Sequence, residues 1–296
     1  MKIGKVEVTK KNKLLFKNPD YSKQDIAKYY QKIWSYMNFY IIGYPVTLER
    51  YPNGIDEKGF YQKNASDYFP DWMDKVEVDG REDNKTNYPL CNDLDSLIYL
   101  VNQGTITFHT WLSSTHDLDN PDKIIFDLDP PEDDFSLIVE SAFDVKKELE
   151  NLNLRPFVMT TGSKGLHILT PVKPDYNFHQ IKEFAKKVAY HITKKNPDKY
   201  TTEQRKDNRD GKIFLDILRN ARGQTGVCPY SLRPISGAPI ATPLSWDELS
   251  KKNFNSQKYT MKNIFRRLGQ IEDPWKDYKK SSSSITDGVK YLKNLT

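Results

Sequence analysis

The chain has 296 residues, of which 37% are hydrophobic and 29% are charged, and its formal net charge is +5. This length can bury a substantial core in one large or two small domains, and the composition is typical of a globular protein. No apolar run approaches the roughly 18 residues of a membrane span, and the N-terminus lacks the apolar core of a signal peptide. These features exclude membrane and secreted classes, so the expectation is a cytoplasmic protein with no membrane partner.

Cysteine spacing and charge distribution narrow the function classes further. Cys91 and Cys228 are the only cysteines, which excludes a Cys-x-x-Cys zinc or redox motif. Residues 1–32 hold nine lysines against three acids, whereas residues 117–150 hold twelve acids against three lysines. A basic segment beside acids that can bind cations suits a polyanionic partner, although lysine runs that only solvate a surface are the simpler alternative.

The first predicted element is an amphipathic helix that begins near Ser22. Ser22 and Asp25 have capping-box spacing, and apolar residues then recur at helical intervals as far as Met37. The later predicted elements are strands and turns over 40–63, a helix over 93–104, strands over 105–112 and 124–129, helices over 136–150 and from 181 to before Pro197, and a strand over 213–218.

This mixture of helices and candidate antiparallel strands predicts the fold class. It indicates an α+β fold with mixed or antiparallel sheets flanked by helices. The polar stretch KKSSSSITDG from Lys279 predicts a mobile C-terminal tail over 279–296.

The strand over 124–129 carries the most informative motif of the chain. Asp127 and Asp129 lie two residues apart, so their side chains emerge on one face with Cα atoms roughly 6.5 Å apart. Pro130 and Pro131 are predicted to end the strand there. Carboxylate pairs of this kind bind hydrated Mg²⁺ or Mn²⁺, although many strand-end Asp-x-Asp pairs only cap a turn.

Two later segments strengthen the prediction of a metal-assisted phosphate site. Residues 157–168 read FVMTTGSKGLHI, a glycine-containing loop between two apolar runs, where Lys164 supplies a positive charge and backbone N–H groups can approach a phosphate. Asp216 lies among alternating apolar residues, where an unpaired carboxylate would be costly to bury. A third acid at a metal site explains its position.

Taken together, the chain resembles one family, the polymerase domain of the prokaryotic non-homologous end-joining ligase D, a branch of the archaeo-eukaryotic primase superfamily. The landmarks are FYQKNA at 60–65, NDLDSLIYLVNQGTITFHTW at 92–111, FDLDP at 126–130, TTGSKGLH at 160–167, FLDILRNARGQT at 214–225, YSLRPISGAP at 230–239, PLSWDEL at 243–249 and DPW at 273–275. Each motif is weak by itself, but their order and spacing are specific.

The resemblance implies a primase-like fold and a set of site residues. A catalytic domain over 1–278 is expected, with residues 1–32 as a basic DNA-end-binding arm and helix. Asp127, Asp129 and Asp216 match the catalytic aspartates that bind two divalent ions, Mn²⁺ or Mg²⁺. The matches to nucleotide-binding residues are Lys63, His109, Thr161, Ser163, Lys164, His167 and Arg233. Lys10, Lys13 and Lys23 align with the site that binds a downstream DNA 5′-phosphate.

The resemblance also implies a function. It predicts a primase-polymerase that extends primers and fills gaps at double-strand-break ends by two-metal nucleotidyl transfer, with a preference for NTPs over dNTPs. Because the ligase region of the multidomain relatives is absent from this sequence, a stand-alone, nucleoid-associated form with a separate DNA ligase and a Ku-like partner is expected. The alternatives are a metal-dependent Asp-x-Asp glycosyltransferase, which leaves Asp216 and Lys164 unexplained, and a catalytically inactive end-binding module.

Overall fold

The computed structural model describes residues 1–80, 84–129 and 135–294. The strand end predicted at Pro130 and Pro131 lies outside these residues. No helix in the described part of the chain is long and apolar enough to cross a membrane.

The strands and helices are numbered in chain order. The strands are Lys2–Ile3 (β1), Val6–Glu7 (β2), Leu14–Lys17 (β3), Asp20–Ser22 (β4), Val46–Arg50 (β5), Phe60–Gln62 (β6), Lys75–Asp79 (β7), Lys85–Pro89 (β8), Thr105–Trp111 (β9), Lys123–Leu128 (β10), Phe157–Thr160 (β11), Leu166–Pro171 (β12), Tyr200–Thr201 (β13), Ile213–Asp216 (β14), Thr225–Val227 (β15) and Pro243–Leu244 (β16). The helices are Lys23–Ile41 (α1), Leu94–Asn102 (α2), Phe135–Asn151 (α3), Phe178–Lys195 (α4), Trp246–Leu249 (α5), Ile264–Leu268 (α6) and Thr286–Lys293 (α7), with 3-10 turns at Lys206–Asn208, Leu218–Asn220 and Lys279–Ser281.

The chain divides into two compact units, whereas the sequence predicts one catalytic domain over 1–278. Unit 1 comprises Met1–Leu118, Thr225–Ala241 and Tyr259–Phe265, and unit 2 comprises Asp119–Gln224, Thr242–Lys258 and Arg266–Thr296. Local periodicity does not reveal this division, because the chain contributes several separate segments to each unit.

Unit 1 contains an antiparallel sheet in the order β15-β9-β5-β6. All residues of the central strand β9 are buried, and α1 and α2 pack against each other in the same unit. The N-cap of α1 is Ser22, whose backbone N–H donates to Asp25 Oδ2 at 2.9 Å, as the capping-box spacing predicts. Residues 1–32, predicted as a basic arm and helix, are therefore folded into the hairpins β1-β2 and β3-β4 and the first turns of α1.

Unit 2 contains a six-stranded sheet in its described residues, in the order β13-β14-β10-β12-β11-β16. The pairs are antiparallel except for β13 with β14, which are parallel. Helices α3 and α4 pack against each other and against β10, whose residues are all buried. The mixed sheet and its helices confirm the predicted α+β fold.

The predicted mobile tail is wrong for the described residues up to 294, which are folded as part of unit 2. Lys173 N donates to Ser283 O at 3.0 Å, and Leu292 on α7 is buried. A Cβ atom at Gly288 would come within 3.1 Å of the Phe184 ring on α4, so α7 packs closely on α4. The polar serine run predicts a linker, but the apolar residues that follow it are buried. The free energy gained from their burial offsets the conformational entropy lost when this segment becomes ordered.

Candidate active site

The centre of the candidate site is a row of side chains across three strands of unit 2. In the register of the sheet, Asp127 on β10 is paired with His167 on β12 and with Asp216 on β14. Directly opposed residues of antiparallel strands place their Cβ atoms about 4.5–5.5 Å apart on the same face. The sheet therefore brings together three residues that lie up to 89 positions apart, as Asp127 and Asp216 do in the chain.

Asp127 is the most buried acid of this row and has two positively charged or polar partners. Its Oδ1 lies 3.4 Å from His167 Nε2, and its Oδ2 accepts a 2.6 Å hydrogen bond from Arg219 Nε. Burial alone would raise the pKa of the Asp127 carboxyl, but His167 and Arg219 outweigh burial and hold that pKa well below its usual range. Asp127 is therefore an ionised carboxylate in a buried position.

The pKa values of the other two acids, Asp129 and Asp216, are shifted in the opposite direction. Loss of hydration and, after it, the charge of Asp127 raise the pKa of Asp129. Loss of hydration is also the largest influence on Asp216 and raises its pKa, although the Leu218 backbone N–H donates to Asp216 Oδ1 at 2.7 Å. The negative charges of the three carboxylates repel one another, and a bound cation would relieve this repulsion.

The position of Arg219 follows from the end of strand β14. The strand stops at Asp216 because the chain turns there into the 3-10 turn Leu218–Asn220, whereas a strand over 213–218 was predicted. The Asn220 side chain then takes the place of a strand partner for Ile125, accepting from its N–H at 2.9 Å and donating to its carbonyl at 2.7 Å. This clamp fixes the turn against β10 and places Arg219 beside Asp127.

The donor chemistry of this site fits a divalent cation, but the site is not a finished metal cage. No group of three or more His, Cys, Asp or Glu side chains in the described parts of the chain is arranged to hold a metal. Carboxylates are the preferred ligands of Mg²⁺ and Mn²⁺. The buried Nδ1 of His167 has no hydrogen-bond partner among the described residues, which is consistent with a site that a ligand completes. A cation bound at Asp127 would share this carboxylate with Arg219.

The predicted phosphate loop lies at the end of strands β11 and β12, beside the acids. A Cβ atom at Gly165 would lie 2.1 Å from the Leu128 carbonyl oxygen and 2.6 Å from Asp129 Oδ1, so only glycine fits there. Gly162 has a φ of 67°, which also favours glycine. The exposed Lys164 lies between these glycines, next to the strand end that carries Asp129.

Thr161 holds this loop together from inside. Its buried hydroxyl accepts from the backbone N–H groups of Ser163 and Gly165, both at 3.3 Å, and donates to the Gly165 carbonyl at 3.1 Å. The Ser163 carbonyl in turn accepts from Gln257 Nε2 at 3.1 Å. The structure therefore gives Thr161 a role in loop geometry, and its predicted contact with a nucleotide stays a prediction.

The remaining predicted nucleotide-binding residues belong to unit 1. His109 Nε2 lies 3.3 Å from Glu49 Oε2, and both side chains are buried. Arg233 is half-buried, and its charge contributes to lowering the pKa of Glu49. Lys63 is exposed directly after strand β6.

The three lysines predicted to bind a 5′-phosphate come together in unit 1. Burial, followed by repulsion from Lys13 and Lys10, lowers the pKa of Lys23. Lys13 Nζ donates to Asn53 Oδ1 at 2.7 Å, and Lys23 Nζ donates to the Asn102 carbonyl at 2.8 Å. Mutual repulsion of this kind is relieved when an anion binds among the lysines.

Two charged residues of these clusters were missed in the sequence. Arg219 follows Asp216 by three residues within FLDILRNARGQT, and a basic residue so close to a predicted metal ligand was the available signal. Glu49 lies in the buried strand VTLER, where an acid in an apolar pattern indicates a partner, as it did for Asp216.

Comparison with known proteins matches these features. The family described as "LigD, primase-polymerase domain" matches residues 22–275. The bifunctional non-homologous end joining protein LigD of Bacillus subtilis is 29% identical over 93% of this chain, and the multifunctional LigD of Pseudomonas aeruginosa is 29% identical over 96%. The chain spans only 44% and 34% of the length of these two relatives.

A solved structure agrees with the fold. The polymerase domain from Mycobacterium tuberculosis ligase D, in complex with DNA, superposes with a TM-score of 0.88 at 28% identity, covering 94% of this chain and 99% of that one. The family match extends over most of the chain and includes the aspartate row, the loop of Lys164 and the turn of Arg219. The chain therefore belongs to the LigD primase-polymerase family.

Proposed function

We propose that this chain extends primers and fills gaps at the ends of broken DNA during non-homologous end joining. The family is one of nucleotidyltransferases with a primase-polymerase role in this repair. The observation that carries the proposal for this chain is the row of His167, Asp127 and Asp216 across three strands, with Asp129 beside it. A glycosyltransferase would share only the Asp-x-Asp element, and an inactive module would have no need for three adjacent acids.

The acids of unit 2 are the proposed catalytic residues. Asp127, Asp129 and Asp216 would hold two divalent ions, Mg²⁺ or Mn²⁺, which when bound align a primer 3′-hydroxyl with the α-phosphate and offset the charge of the departing pyrophosphate. Arg219 keeps Asp127 ionised and oriented. His167 fixes the other oxygen of Asp127 while its Nδ1 is available to the incoming nucleotide.

The loop between β11 and β12 is the proposed triphosphate site. Lys164 is exposed and adds a point charge beside the acids, while Thr161 keeps the backbone of the loop in place. Ser163 follows the left-handed Gly162 in the same loop. Lys63, His109 and Arg233 stay predictions from the family resemblance as further nucleotide-binding residues.

The lysine cluster of unit 1 is the proposed site for the 5′-phosphate on the far side of a gap. A terminal phosphate monoester carries more charge than an internal diester, so clustered lysines favour an end over continuous backbone. Lys10 and Lys13 lie at the turn before β3, and Lys13 N donates to the Lys10 carbonyl at 2.9 Å. The preference for NTPs, the separate DNA ligase and the Ku-like partner belong to the same proposal.

Primer extension on gapped DNA tests the proposal. Substrates with a 5′-phosphate or a 5′-hydroxyl at the gap are offered with NTPs or dNTPs and with Mg²⁺ or Mn²⁺. Extension is expected to need the divalent ion, to favour NTPs and to be stimulated by the 5′-phosphate. Asp127→Ala, Asp129→Ala and Asp216→Ala should each abolish it, whereas Asp175→Ala, an exposed acid of the same unit, should not. Extension that survives loss of Asp127 would overturn the assignment.

A further inference from the structure

The outer face of α4 in unit 2 carries a concentrated positive charge. Helix α4 holds five lysines and one acid, Glu183. Lys186 and Lys194 are exposed, and Tyr190 between them is 55% exposed, a high value for an aromatic side chain. We call the surface formed by Lys182, Lys186, Lys187, Tyr190 and Lys194 the α4 face.

The lysines of this face differ from their neighbours in having no acidic partner. Lys182, Lys186, Lys187 and Lys194 make no ion pair within the described residues. The next lysine along the chain, Lys195, pairs with Glu148 at 2.7 Å. Glu148 therefore neutralises the end of α4, whereas the α4 face itself carries four lysines against one exposed acid, Glu183, which lies one turn before Lys186 and Lys187.

The orientation of the α4 face is fixed by packing. Lys186, Tyr190 and Lys194 are spaced by four residues, so they form one stripe with about 6 Å between successive Cα levels. The opposite side of the helix, which includes Phe184 and Val188, is buried. This buried side fixes the rotation of α4 about its own axis, so the stripe stays at the surface.

We propose that the α4 face binds the phosphate backbone of duplex DNA, as a contact separate from the lysines predicted to bind a 5′-phosphate. Four lysines that make no ion pair within the described residues, against the single acid Glu183, leave this face with a net positive charge that is complementary to a polyanion. Lysine ammonium groups act as point charges without the planar fork of arginine, and contacts to backbone phosphates carry no sequence information, so the proposed contact is independent of DNA sequence. The Tyr190 hydroxyl is a further donor suited to a phosphate oxygen.

This inference rests on the proposed function only in taking DNA as the polyanion. Binding to a blunt duplex without a gap and without 5′-phosphates tests it, because such a substrate lacks the end that Lys10 and Lys13 are proposed to recognise. Each phosphate contact adds about 0.9 to the slope of the logarithm of affinity against the logarithm of salt concentration. The triple variant Lys186→Gln, Lys187→Gln, Lys194→Gln should therefore lower the magnitude of that slope by roughly 2 to 3.

A matched control separates a specific face from total charge. Lys173, Lys251 and Lys252 are exposed lysines of the same unit, and their triple glutamine variant loses the same charge. The control should change the slope by less than about 0.9, which is the contribution of one phosphate contact. An equal change in both variants, or no change in either, would overturn the proposal. Loss of binding to anionic phospholipid vesicles with unchanged binding to the duplex would overturn it in favour of a lipid surface.

The proposed function has its own readout. Absence of primer extension by the wild-type chain would contradict the proposed function and would leave the salt dependence of duplex binding to decide this inference. Circular dichroism of both triple variants serves as the folding control. The effect of the Tyr190 hydroxyl is measured with Tyr190→Phe, which removes only the hydroxyl, and is compared with Tyr190→Ala, which also removes the ring. Tyr190→Phe that binds as tightly as the wild type would remove the hydroxyl contact and leave the lysine contacts to the slope measurement.

Discussion

Arg219 Nε lies 2.6 Å from Asp127 Oδ2, which gives the buried central carboxylate of the candidate active site a cation from its own chain. The Asp127 side chain is 4% exposed and the Arg219 side chain is 38% exposed. The carboxylate is therefore fixed in the protein, whereas the guanidinium reaches solvent. A divalent cation bound at Asp127 would neutralise part of the carboxylate charge that Arg219 otherwise neutralises together with His167.

The variant Arg219→Gln tests this relationship through stability. In metal-free protein it should lower the free energy of unfolding by about 1–3 kcal/mol, because a buried carboxylate loses a charged hydrogen bond. With saturating Mg²⁺ or Mn²⁺ the loss should shrink. Arg222→Gln, which breaks a surface pair with the exposed Asp119, is the matched control and should change stability by under about 1 kcal/mol. Equal loss with and without metal would contradict shared neutralisation.

Asp216→Asn should separate stability from activity. The ionised Asp216 is disfavoured by loss of hydration and by Asp127, whereas an asparagine oxygen still accepts from Leu218 N–H. We expect the melting temperature of the metal-free protein to rise by roughly 1–3 °C and primer extension to be lost. Calorimetry and extension measured on the same preparation check both. A lower melting temperature would show that the charge of Asp216 is not a cost to the fold.

The aspartate strand and the start of α1 could be predicted from the sequence because their signals are local. Asp127 and Asp129 share a face through strand alternation, and the cap of α1 lies within four residues at Ser22. Arg219 could not be placed in this way, because its contact with Asp127 depends on a 3-10 turn and on the Asn220 clamp.

The folded C-terminus and the burial of Lys23 show the same limit. The composition of KKSSSSITDG indicates a linker, and only packing of Leu292 and Gly288 in unit 2 changes that conclusion. Lys23 is a lysine in a basic segment, yet it is 7% exposed, because Asn102 is brought to it from a helix far along the chain. Long-range partners of polar residues are not encoded in local periodicity.

Thr161 can be tested by two substitutions of different kinds. Thr161→Val keeps the shape but leaves the N–H groups of Ser163 and Gly165 without the hydroxyl acceptor, which should cost about 1–3 kcal/mol and raise the Michaelis constant for the nucleotide. Thr161→Ser keeps the acceptor and should be nearly silent. Thermal unfolding and steady-state extension give the two readouts. A silent Thr161→Val would remove the hydroxyl from the proposed architecture of the loop.

The lysine cluster should separate into two kinds of residue. Lys10→Ala and Lys13→Ala should weaken binding to a 5′-phosphorylated gap, together by about 1–3 kcal/mol, and leave the 5′-hydroxyl substrate nearly unchanged. Lys23→Ala should also lower the melting temperature, because Lys23 is buried and donates to the Asn102 carbonyl. Fluorescence anisotropy with both substrates and a thermal scan check this. Equal weakening on both substrates would reduce the cluster to general phosphate attraction.

Glu49 should act on nucleotide binding through His109. The Glu49 and His109 side chains are 7% and 11% exposed, and Tyr51 Oη also donates to Glu49 Oε1 at 3.3 Å. Burial would raise the pKa of Glu49, but His109, followed by the charge of Arg233 and the side chain of Thr107, holds that pKa below its ordinary value of 4.5. The carboxylate is therefore a fixed anchor for the imidazole ring.

Glu49→Gln removes the charge of this anchor and keeps its shape. We expect a rise in the Michaelis constant for the nucleotide with a smaller change in kcat, because ring placement affects binding first. A glutamate with a lowered pKa stabilises the fold above its ordinary pKa of 4.5, so the wild-type advantage in melting temperature should disappear as the pH falls through the lower folded-state value. Glu57→Gln, an exposed acid of unit 1, is the control. Unchanged nucleotide kinetics together with lowered stability would limit Glu49 to a structural role between β5 and β9.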